Sequence, residues 1–216
     1  MTSKRSLKNK RILITCGPTW IPIDQVRVLS NISTGELGQL LARDCTKEGA
    51  RVTLLEGRVT HGLSIKNIKV VSFTFYQELF DLLKKELKKK YDVVIHAAAV
   101  SDYTLKKPFA KKLSSGKSKL ALDLIPTKKI IHVIKRQCPK VFLVGFKLEP
   151  KTSPKKAFAQ SQVLFQKARC DLVVVNSLLG KGYRGMLINK EGRILFEQKT
   201  KGRLIKGLIK ALKDYS

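Results

Sequence analysis

Long apolar runs are scarce in this sequence, and their absence excludes two classes of protein. No stretch of 18 or more apolar residues is present, and no signal-peptide core follows Met1. A transmembrane helix needs about 20 apolar residues, so neither a membrane span nor a secretory leader is expected. With 43% hydrophobic residues, the chain of 216 residues can still bury one sizeable core. We therefore expect a globular, soluble and cytoplasmic protein.

Cysteine and histidine are also few, and none is spaced as a metal or disulfide motif. The three histidines show no ligand spacing, and the four cysteines form no CxxC pair: His61, His96 and His132; Cys16, Cys45, Cys138 and Cys170. This pattern argues against a zinc site and against a disulfide framework. We expect the thiols to be reduced and His96 to be satisfied locally within a strand.

Acidic residues are the clearest shortage. The sequence contains 16 Asp and Glu residues and 44 Lys and Arg residues, which gives a formal net charge of +28. Such a field attracts polyanions without specificity, so nucleic acid is a candidate partner. The lysines are nevertheless spread along the chain, no recognised nucleic-acid motif is present, and the densest run, 84–90, is predicted to lie on a solvated helix face. A basic nucleic-acid-binding protein remains one alternative, with non-specific contact expected, and anionic small substrates would gain from the same field.

Short apolar segments alternate with amphipathic segments along most of the chain. Strands are predicted at 12–15, 51–55, 68–73, 92–99, 141–146 and 172–175, and helices at 34–47, 76–90, 126–136, 153–169 and 200–213. Segments 185–189 and 193–197 predict a β-hairpin. The alternation predicts an α/β fold with a Rossmann-like, mostly parallel, doubly wound sheet and a small hairpin and flap appendage. Ligands of such sheets bind at the carboxyl ends of the strands.

Three segments fall outside this alternation. Residues 1–10 are basic and are predicted to form a mobile tail ahead of a single domain over 11–216. Residues 101–116 are basic and aperiodic, which predicts a mobile flap directly after a strand. Residues 120–124 alternate in polarity and predict either an edge strand or one arm of a hairpin.

The loop after the first predicted strand is far longer than such a turn requires. It spans about seventeen residues, where about two to six are usual. Its polar and small residues are followed by a helix start with two glycines three positions apart: Gly17, Thr19, Asp24, Arg27, Asn31, Ser33, Thr34, Gly35 and Gly38. A helix N-terminus with small residues lets main-chain N–H groups approach phosphate, and Arg27 could add a bidentate contact. Close packing of a helix on the sheet is the other explanation for the glycines.

Two more candidate groups follow another predicted strand. The small residues 97–101 leave room for a ligand, and Asp102 could hold a ribose hydroxyl or a metal, or could simply cap a turn. Lys112 in the flap could close over phosphates or could be a solvated lysine. Tyr103 and Lys107 have the spacing of the short-chain dehydrogenase pair, which keeps an NAD(P)-dependent reductase as an alternative. That pair must share a helix, however, Pro108 follows at once, and no GxGxxG follows the first strand.

Taken together, these motifs resemble the phosphopantothenoylcysteine synthetase (phosphopantothenate–cysteine ligase) family. The resemblance rests on segments in the family's order: GPT at 17–19, PID at 22–24, VR at 26–27, SN at 30–31, STGxxG at 33–38, AAAVSDY at 97–103, KL at 112–113, LIPT at 124–127, GF at 145–146 and DLVVVN at 171–176. The form resembled is the stand-alone one, without the decarboxylase domain.

The resemblance implies a Rossmann-like ligase of coenzyme A biosynthesis that joins 4′-phosphopantothenate to cysteine. An acyl nucleotidylate would form with CTP or ATP and Mg²⁺, and the enzyme would be a homodimer, with the predicted hairpin a candidate contact. Asn31 would hydrogen-bond the acyl phosphate, Arg27 would orient the acid and Lys112 would offset charge on the triphosphate. Substrate or nucleotide binding would fall to Gly17, Thr19, Ser33, Gly35, Gly38, Ala99, Asp102, Phe146 and Asn176. The metal would be bound mainly through the nucleotide phosphates, with Asp102 as a candidate ligand.

The sequence departs from the bacterial pattern of this family at three places. Glu36 stands where bacterial members often have lysine, and Ser114 and Ser115 stand where further lysine follows the flap lysine. The segment FKLE at 146–149 is more similar to the eukaryotic, ATP-using form than to the pattern of the CTP users. The choice between CTP and ATP therefore stays open.

Overall fold

The computed structural model describes residues 6–59, 62, 67–116, 118–151, 153–179 and 182–215, with the main chain alone at 178 and 179. His61 lies outside these residues. In chain order the strands are β1 (Arg11–Cys16), β2 (Trp20–Pro22), β3 (Val28–Ser30), β4 (Arg51–Glu56), β5 (Lys69–Ser72), β6 (Val93–His96), β7 (Tyr103–Leu105), β8 (Leu124–Pro126), β9 (Phe142–Leu148), β10 (Leu172–Leu179), β11 (Gly182–Asn189) and β12 (Ile194–Gln198). The helices are α1 (Glu36–Lys47), α2 (Tyr76–Leu87), α3 (Ile131–Gln137), α4 (Pro154–Ala168) and α5 (Lys201–Tyr215).

The described residues form a central sheet of eight strands in the order β12-β11-β10-β9-β6-β1-β4-β5. The six strands from β10 to β5 are parallel, and the β11–β12 hairpin adds two antiparallel strands at one edge. The chain winds outward from β1 in both directions, so the order of connection reverses between β1 and β6. In an open sheet this reversal leaves a crevice at the carboxyl ends of those two strands. The predicted α/β, doubly wound and mostly parallel fold is confirmed.

Helices cover both faces of the sheet because its central strands are apolar on both sides. Successive side chains of a strand point to opposite faces. Ile12 and Ile14 of β1 therefore pack with α1 and α5, whereas Leu13 packs with α2, α3 and α4. Parallel strands that are buried on both faces carry continuous apolar runs, which is the pattern that identified them. Among the described helices, none has the length and apolar composition that crossing a bilayer requires.

Two predicted elements differ from the structure beyond their end residues. The strand predicted at 92–99 is limited to Val93–His96, because pairing with β9 ends at His96. The chain beyond it contacts the loop after β1 instead, through Ala99 N to Gly17 O at 2.9 Å. The helix predicted from 126 begins at Ile131, because Leu124–Pro126 pairs with β7 in an antiparallel hairpin. Only the last residue of the predicted strand 120–124 belongs to that hairpin.

The predicted mobile tail also needs correction where the structure describes it. Leu7 is fully buried in the core on the α1 side of the sheet. Asn9 donates its main-chain N–H to the carbonyl oxygen of Gly49 at 3.0 Å. Residues 6–10 are therefore packed against the turn before β4, since the apolar side chain of Leu7 can leave water there. Residues 1–5 lie outside the described residues.

Candidate active site

The floor of the crevice is formed by the main chain that follows β1 and β6. Ala99 donates its N–H to the carbonyl oxygen of Gly17 at 2.9 Å, and Thr19 donates its N–H to the carbonyl oxygen of Ala99 at 3.2 Å. Gly17 has a φ of +77°, and an added Cβ there would lie 3.0 Å from the main chain of Gly57. A glycine at position 17 thus allows two loops to approach closely. Gly17 and Ala99, predicted to bind the substrate or nucleotide, are brought together.

Thr19 is also part of this floor, but it faces the protein. Its side chain is fully buried. Its hydroxyl accepts a hydrogen bond from Ser101 N at 2.9 Å and lies 3.2 Å from Ser101 Oγ. Thr19 therefore joins the loop after β1 to the loop after β6 by hydrogen bonds. Its side chain supports the crevice from the protein interior and does not line it.

Asn31 lies at the edge of the crevice, directly after β3. The overlong loop contains a short hairpin in which β2 pairs with β3 in antiparallel fashion. At the end of this hairpin the side-chain amide of Asn31 donates to Val100 O at 3.0 Å and to Ala99 O at 3.5 Å. The residue is exposed, so a ligand in the crevice can reach it. The structure thus places Asn31 beside the loop that follows the carboxyl end of β6.

The start of α1 faces the same region of the sheet. Gly35 has a φ of +74°. Among the described residues, the main-chain N–H groups of Gly35 and Glu36 donate only over a long 3.4 Å, to the hydroxyl oxygens of Ser33 and Thr34 respectively. The first turn of a helix leaves main-chain N–H groups available to an anion. Gly38 has a packing role, because a Cβ there would lie 2.2 Å from Cys16 Cβ. Gly35 therefore fits the anion-binding explanation of the two glycines, and Gly38 fits the explanation by close packing of the helix on the sheet.

The hairpin turn between β2 and β3 is attached to the flap. The Asp24 side chain is 0% exposed, and its Oδ2 accepts hydrogen bonds from Arg27 Nη1 at 2.6 Å and from Leu113 N at 3.0 Å. Hydrogen bonding from the Leu113 main chain, together with bonds from Val26 and Arg27, lowers the pKa of Asp24 to about 2 against the opposing effect of burial. Asp24 is thus a buried anion at neutral pH.

Arg27 and Lys112 differ in their surroundings. Arg27 Nη1 also donates to the carbonyl oxygen of Leu113 at 3.2 Å, so this guanidinium contacts the flap. The contact of Arg27 with a substrate acid stays a prediction. Lys112 is exposed, and within the described part of the chain its ammonium group makes no hydrogen bond or ion pair. The charge of Lys112 is therefore available to an anionic ligand.

A cavity of about 130 Å³ lies where β6 and β9 end. Its lining includes His96, Asp102, Lys129 and Phe146. Asp102 is exposed and pairs with Lys129 Nζ at 2.5 Å. Asp102 and Phe146, predicted to border a nucleotide, thus share one cavity. Asn176 lies one strand further, on β10, where its carbonyl oxygen accepts the N–H of Glu149 at 2.8 Å.

His96 is neutral and locally satisfied, as the sequence predicted. Its Nδ1 lies 2.8 Å from Thr15 Oγ1, which also accepts the Ala98 N–H at 3.3 Å. Burial lowers the pKa of His96 to about 4. The imidazole is therefore uncharged at neutral pH, and it belongs to the wall of the cavity.

The described residues contain no cluster of three or more His, Cys, Asp or Glu side chains that could hold a metal ion. Asp102 is the acidic residue at the cavity, and its partner is a lysine. Magnesium commonly keeps several waters and is held by one or two carboxylates together with substrate phosphates. A single exposed carboxylate fits that mode of binding and does not fit an all-protein cage.

Reasoning from the sequence missed the role of Asp24 and the contribution of Leu113. The spacing of Asp24 and Arg27, three positions apart in a loop, was a signal for a local ion pair. No local pattern pointed to Leu113, which joins them through its main chain.

Comparison with known proteins gives a consistent picture. The profile of the family described as "DNA/pantothenate metabolism flavoprotein C-terminal domain" matches residues 7–214. The "Coenzyme A biosynthesis bifunctional protein CoaBC" of Thermococcus kodakarensis is 38% identical over 179 residues, which cover 82% of this chain and 44% of that protein. A "Cysteine/Cysteine sulfinic acid decarboxylase" of an unknown prokaryotic organism is 34% identical over 219 residues, 97% of this chain and 60% of that protein. The chain thus spans about half the length of these relatives.

A solved structure extends the similarity to three dimensions. The DNA/pantothenate metabolism flavoprotein of Streptococcus pneumoniae matches with a TM-score of 0.85 and 26% identity, over 96% of this chain and 100% of that chain. The crevice described above therefore lies in a fold that a solved structure shares almost end to end.

Proposed function

Because the chain belongs to the family of the DNA/pantothenate metabolism flavoprotein C-terminal domain, we propose that it is a phosphopantothenate–cysteine ligase of coenzyme A biosynthesis. The observation that carries the proposal is the position of Asn31, at the carboxyl end of β6 and at the end of the loop that leads to the phosphate-binding start of α1. The name of the Thermococcus kodakarensis relative, a coenzyme A biosynthesis protein, supports the pathway. A cytoplasmic location stays a prediction from the sequence.

The chemistry proceeds in two displacements. A carboxylate oxygen of 4′-phosphopantothenate attacks the α-phosphorus of a nucleoside triphosphate, and pyrophosphate leaves. The amine of cysteine then attacks the acyl carbon of the nucleotidylate, loses a proton and displaces the nucleoside monophosphate. The first step thus forms the mixed anhydride and breaks the bond from the α-phosphorus to pyrophosphate. The second step forms the amide bond and breaks the acyl C–O bond of the mixed anhydride.

Asn31 suits the reacting centre because it donates hydrogen bonds without carrying charge. Its Nδ2 group donates to Val100 O and Ala99 O, and both are neutral contacts that an acyl-phosphate oxygen can replace. A fixed donor aimed at developing charge is one of the larger contributions to catalysis. Ala99, whose carbonyl oxygen lies beside this amide, would border the same centre.

The phosphates would lie between the start of α1 and the flap. The main-chain N–H groups near Gly35 offer neutral donors, and Ser33 and Gly17 line the same turn. The ammonium of Lys112 would offset the charge that develops on the leaving pyrophosphate. The net charge of +28 adds a favourable field for an anionic substrate and an anionic nucleotide.

The nucleoside would occupy the cavity after β6 and β9. Asp102 could accept hydrogen bonds from ribose hydroxyls, and Phe146 offers an apolar surface. Asn176, one strand away, would lie at the rim. The proposal covers both cytosine and adenine as the base, and a comparison of CTP with ATP identifies which one the protein uses.

Mg²⁺ is part of the proposal as a group carried mainly by the nucleotide phosphates. When bound, it neutralises triphosphate charge, and Asp102 is the candidate protein ligand. Chelation of Mg²⁺ is therefore expected to abolish turnover while leaving the melting temperature unchanged, because the described residues contain no metal cluster that stabilises the fold.

We also propose that the active protein is a homodimer. Exposed large apolar residues concentrate on the adjacent β2–β3 and β7–β8 hairpins and the segments next to them: Val26, Val28, Leu29, Ile32, Tyr103, Phe109, Leu124 and Ile125. Clustered apolar surface commonly marks an interface. The β11–β12 hairpin, the first candidate for the contact, exposes Ile194 and Leu195. Sedimentation of Leu29→Ser against Leu195→Ser, two side chains of equal exposure, distinguishes the surfaces, since only the variant at the true interface becomes monomeric.

Two other activities have weaker support. The decarboxylase name of the second relative describes a protein of which this chain covers 60%. The short-chain reductase pair is not on a helix, because Tyr103 begins β7 and Lys107 follows that strand. The basic surface alone supports only non-specific contact with nucleic acid.

A pyrophosphate-release assay tests the proposed function. The purified protein is supplied with CTP or ATP, side by side, and with phosphopantothenate and cysteine together or separately. We expect pyrophosphate with one nucleotide at least, at full rate only when both substrates are present, and no carbon dioxide from cysteine alone. No pyrophosphate with either nucleotide would refute the ligase, and carbon dioxide would favour the decarboxylase.

A further inference from the structure

Residues 103–105 of the predicted flap form β7, so the flap in the structure is the segment that follows this strand, residues 106–116. This segment is held to the rest of the protein at few points. Its residues are exposed except for Leu113, which is half-buried. The hydrogen bonds that join it to the β2–β3 turn are Leu113 N to Asp24 Oδ2 at 3.0 Å, Arg27 Nη1 to Leu113 O at 3.2 Å and Phe109 N to Ile23 O at 2.9 Å. A segment with so little buried apolar surface depends on these bonds for its order.

The Asp24 carboxylate is the centre of this attachment. Its Oδ1 accepts the main-chain N–H groups of Val26 at 2.9 Å and Arg27 at 2.8 Å. Its Oδ2 accepts Arg27 Nη1 and the Leu113 N–H. Each oxygen therefore has two donors, which fixes the orientation of the carboxylate and leaves it no capacity for a ligand.

Both main-chain polar groups of Leu113 form hydrogen bonds with the β2–β3 turn. Asp24 takes its N–H, and Arg27 takes its carbonyl oxygen. The Cα of the preceding residue, Lys112, lies about 3.8 Å from the Cα of Leu113 because the peptide is rigid. The position at which the Lys112 side chain leaves the main chain is thus set by the Asp24–Arg27 pair.

The same hairpin carries Asn31. Asp24 and Arg27 lie in the turn at one end of the β2–β3 hairpin, and Asn31 follows β3 at the other end. Three residues of β3 separate Arg27 from Asn31, a span of roughly 13 Å in an extended strand. One short element therefore fixes the flap and the crevice relative to each other.

We propose, resting on the proposed function, that Asp24 and Arg27 are positioning residues for the ligase reaction: they hold the main chain of Leu113 so that Lys112 is presented to the nucleotide from a fixed point. Neither side chain contacts the reacting atoms. Arg27 in this arrangement acts through the flap, and the substrate acid is oriented by other groups. The attachment works throughout the physiological pH range, because hydrogen bonding keeps the pKa of Asp24 near 2.

Asp24→Asn is the first test. The substitution keeps the size of the side chain and removes its charge. The amide nitrogen replaces one oxygen and must face the two donors of that oxygen, either Val26 N and Arg27 N or Arg27 Nη1 and Leu113 N. Hydrogen exchange at the Leu113 amide is expected to accelerate by about tenfold or more, because that N–H loses a charged acceptor. This measurement does not depend on any activity of the protein. Unchanged exchange at Leu113 in a folded variant would overturn the proposal.

A double-mutant cycle separates positioning from general structural damage. We expect Asp24→Asn to lower kcat/KM for the nucleotide by roughly 10- to 100-fold, as displaced catalytic groups do, and to leave KM for cysteine unchanged. In a Lys112→Ala background the same substitution is expected to cost less than about twofold, because both changes remove one function. Additive losses would overturn the proposal, since they would mean that Asp24 acts independently of Lys112.

The same double-mutant cycle can be measured with Arg27→Gln and Lys112→Ala. Arg27→Gln also replaces Asp24→Asn if that variant does not fold. It removes the bond to Leu113 O while leaving Asp24 its three main-chain donors. Wild-type protein without ligase turnover would refute the proposed function alone, because the exchange measurement at Leu113 would still report on the attachment.

Discussion

The side-chain amide of Asn31 donates to the carbonyl oxygen of Val100 over 3.0 Å. This contact joins the end of the β2–β3 hairpin to the loop that follows β6. It places a neutral donor at the point where the order of connection in the parallel sheet reverses, which is where sheets of this kind bind their ligands.

Substitution of Asn31 is expected to affect catalysis far more than folding. Asn31→Ala should lower kcat by about 10²- to 10³-fold, as the loss of one donor to developing charge does elsewhere. The melting temperature should stay close to wild type, because Asn31 is exposed. Asn31→Asp is the matched variant, since it keeps the size but adds a charge that repels phosphate. Wild-type kcat in either variant would contradict the role of Asn31.

Lys112 can be compared with its neighbour. Lys112→Ala should lose most turnover, because the charge that faces the triphosphate is removed. Lys111→Ala also removes one positive charge, from the neighbouring residue, which is exposed as well. This variant should retain most of the turnover. Steady-state rates of the two variants at saturating nucleotide test this difference. Equal losses would indicate a general effect of charge, and equal retention would remove Lys112 from the site.

Gly38 is expected to be required for packing. Gly38→Ala places a Cβ 2.2 Å from Cys16 Cβ, so α1 must move away from β1. Overpacking of this kind costs about 1–3 kcal/mol of unfolding free energy. Gly202→Ala, in the first turn of α5 with nothing within 4 Å, is the control. It should be neutral or stabilising by up to about 1 kcal/mol. Urea unfolding measures both, and equal stability of the two variants would show that Gly38 has no packing role.

His96 should make stability depend on pH in mildly acidic solution. Its pKa is about 4 in the folded protein and about 6.5 in the unfolded chain. Between these values the unfolded state binds a proton that the folded state does not, so stability is complete above about pH 6.5 and falls as the pH decreases towards 4. The expected loss approaches about 3 kcal/mol.

Urea unfolding at pH 7.5 and pH 4.5 measures this effect. His96→Gln cannot titrate, so it should lose less stability than wild type over the same interval, while carboxylates contribute equally to both. An identical loss in the two proteins would show that His96 does not carry the pH dependence.

Most of the sheet was predictable because its order follows from local patterns. β6 and β10 contain continuous apolar runs at 93–95 and 172–175, and both runs are buried. The β7–β8 hairpin was not predictable in this way. Its three-residue strands form only because Tyr103–Leu105 and Leu124–Pro126 pair with each other, with Lys106 N bonded to Asp123 O at 3.0 Å. Because of that pairing, α3 begins at Ile131 and not at the predicted residue 126.

The site was predictable where its residues follow strands directly and not where it depends on distant contacts. Asn31 and Gly35 lie near the ends of strands or the start of a helix, and their types suggested their chemistry. The bond between Asp24 and Leu113 joins positions 89 residues apart. No periodicity or spacing encodes such a contact, so the contacts of Asp24 and Arg27 with the main chain of Leu113 were not predicted from the sequence.

Transfer of an oxygen label tests the acid-activation chemistry most directly. 4′-Phosphopantothenate labelled with ¹⁸O in its carboxylate is turned over with cysteine and the preferred nucleotide, and the products are analysed by mass spectrometry. Attack on the α-phosphorus predicts one ¹⁸O atom in the nucleoside monophosphate and none in pyrophosphate. Label in inorganic phosphate, or no label in the monophosphate, would contradict an acyl nucleotidylate formed beside Asn31.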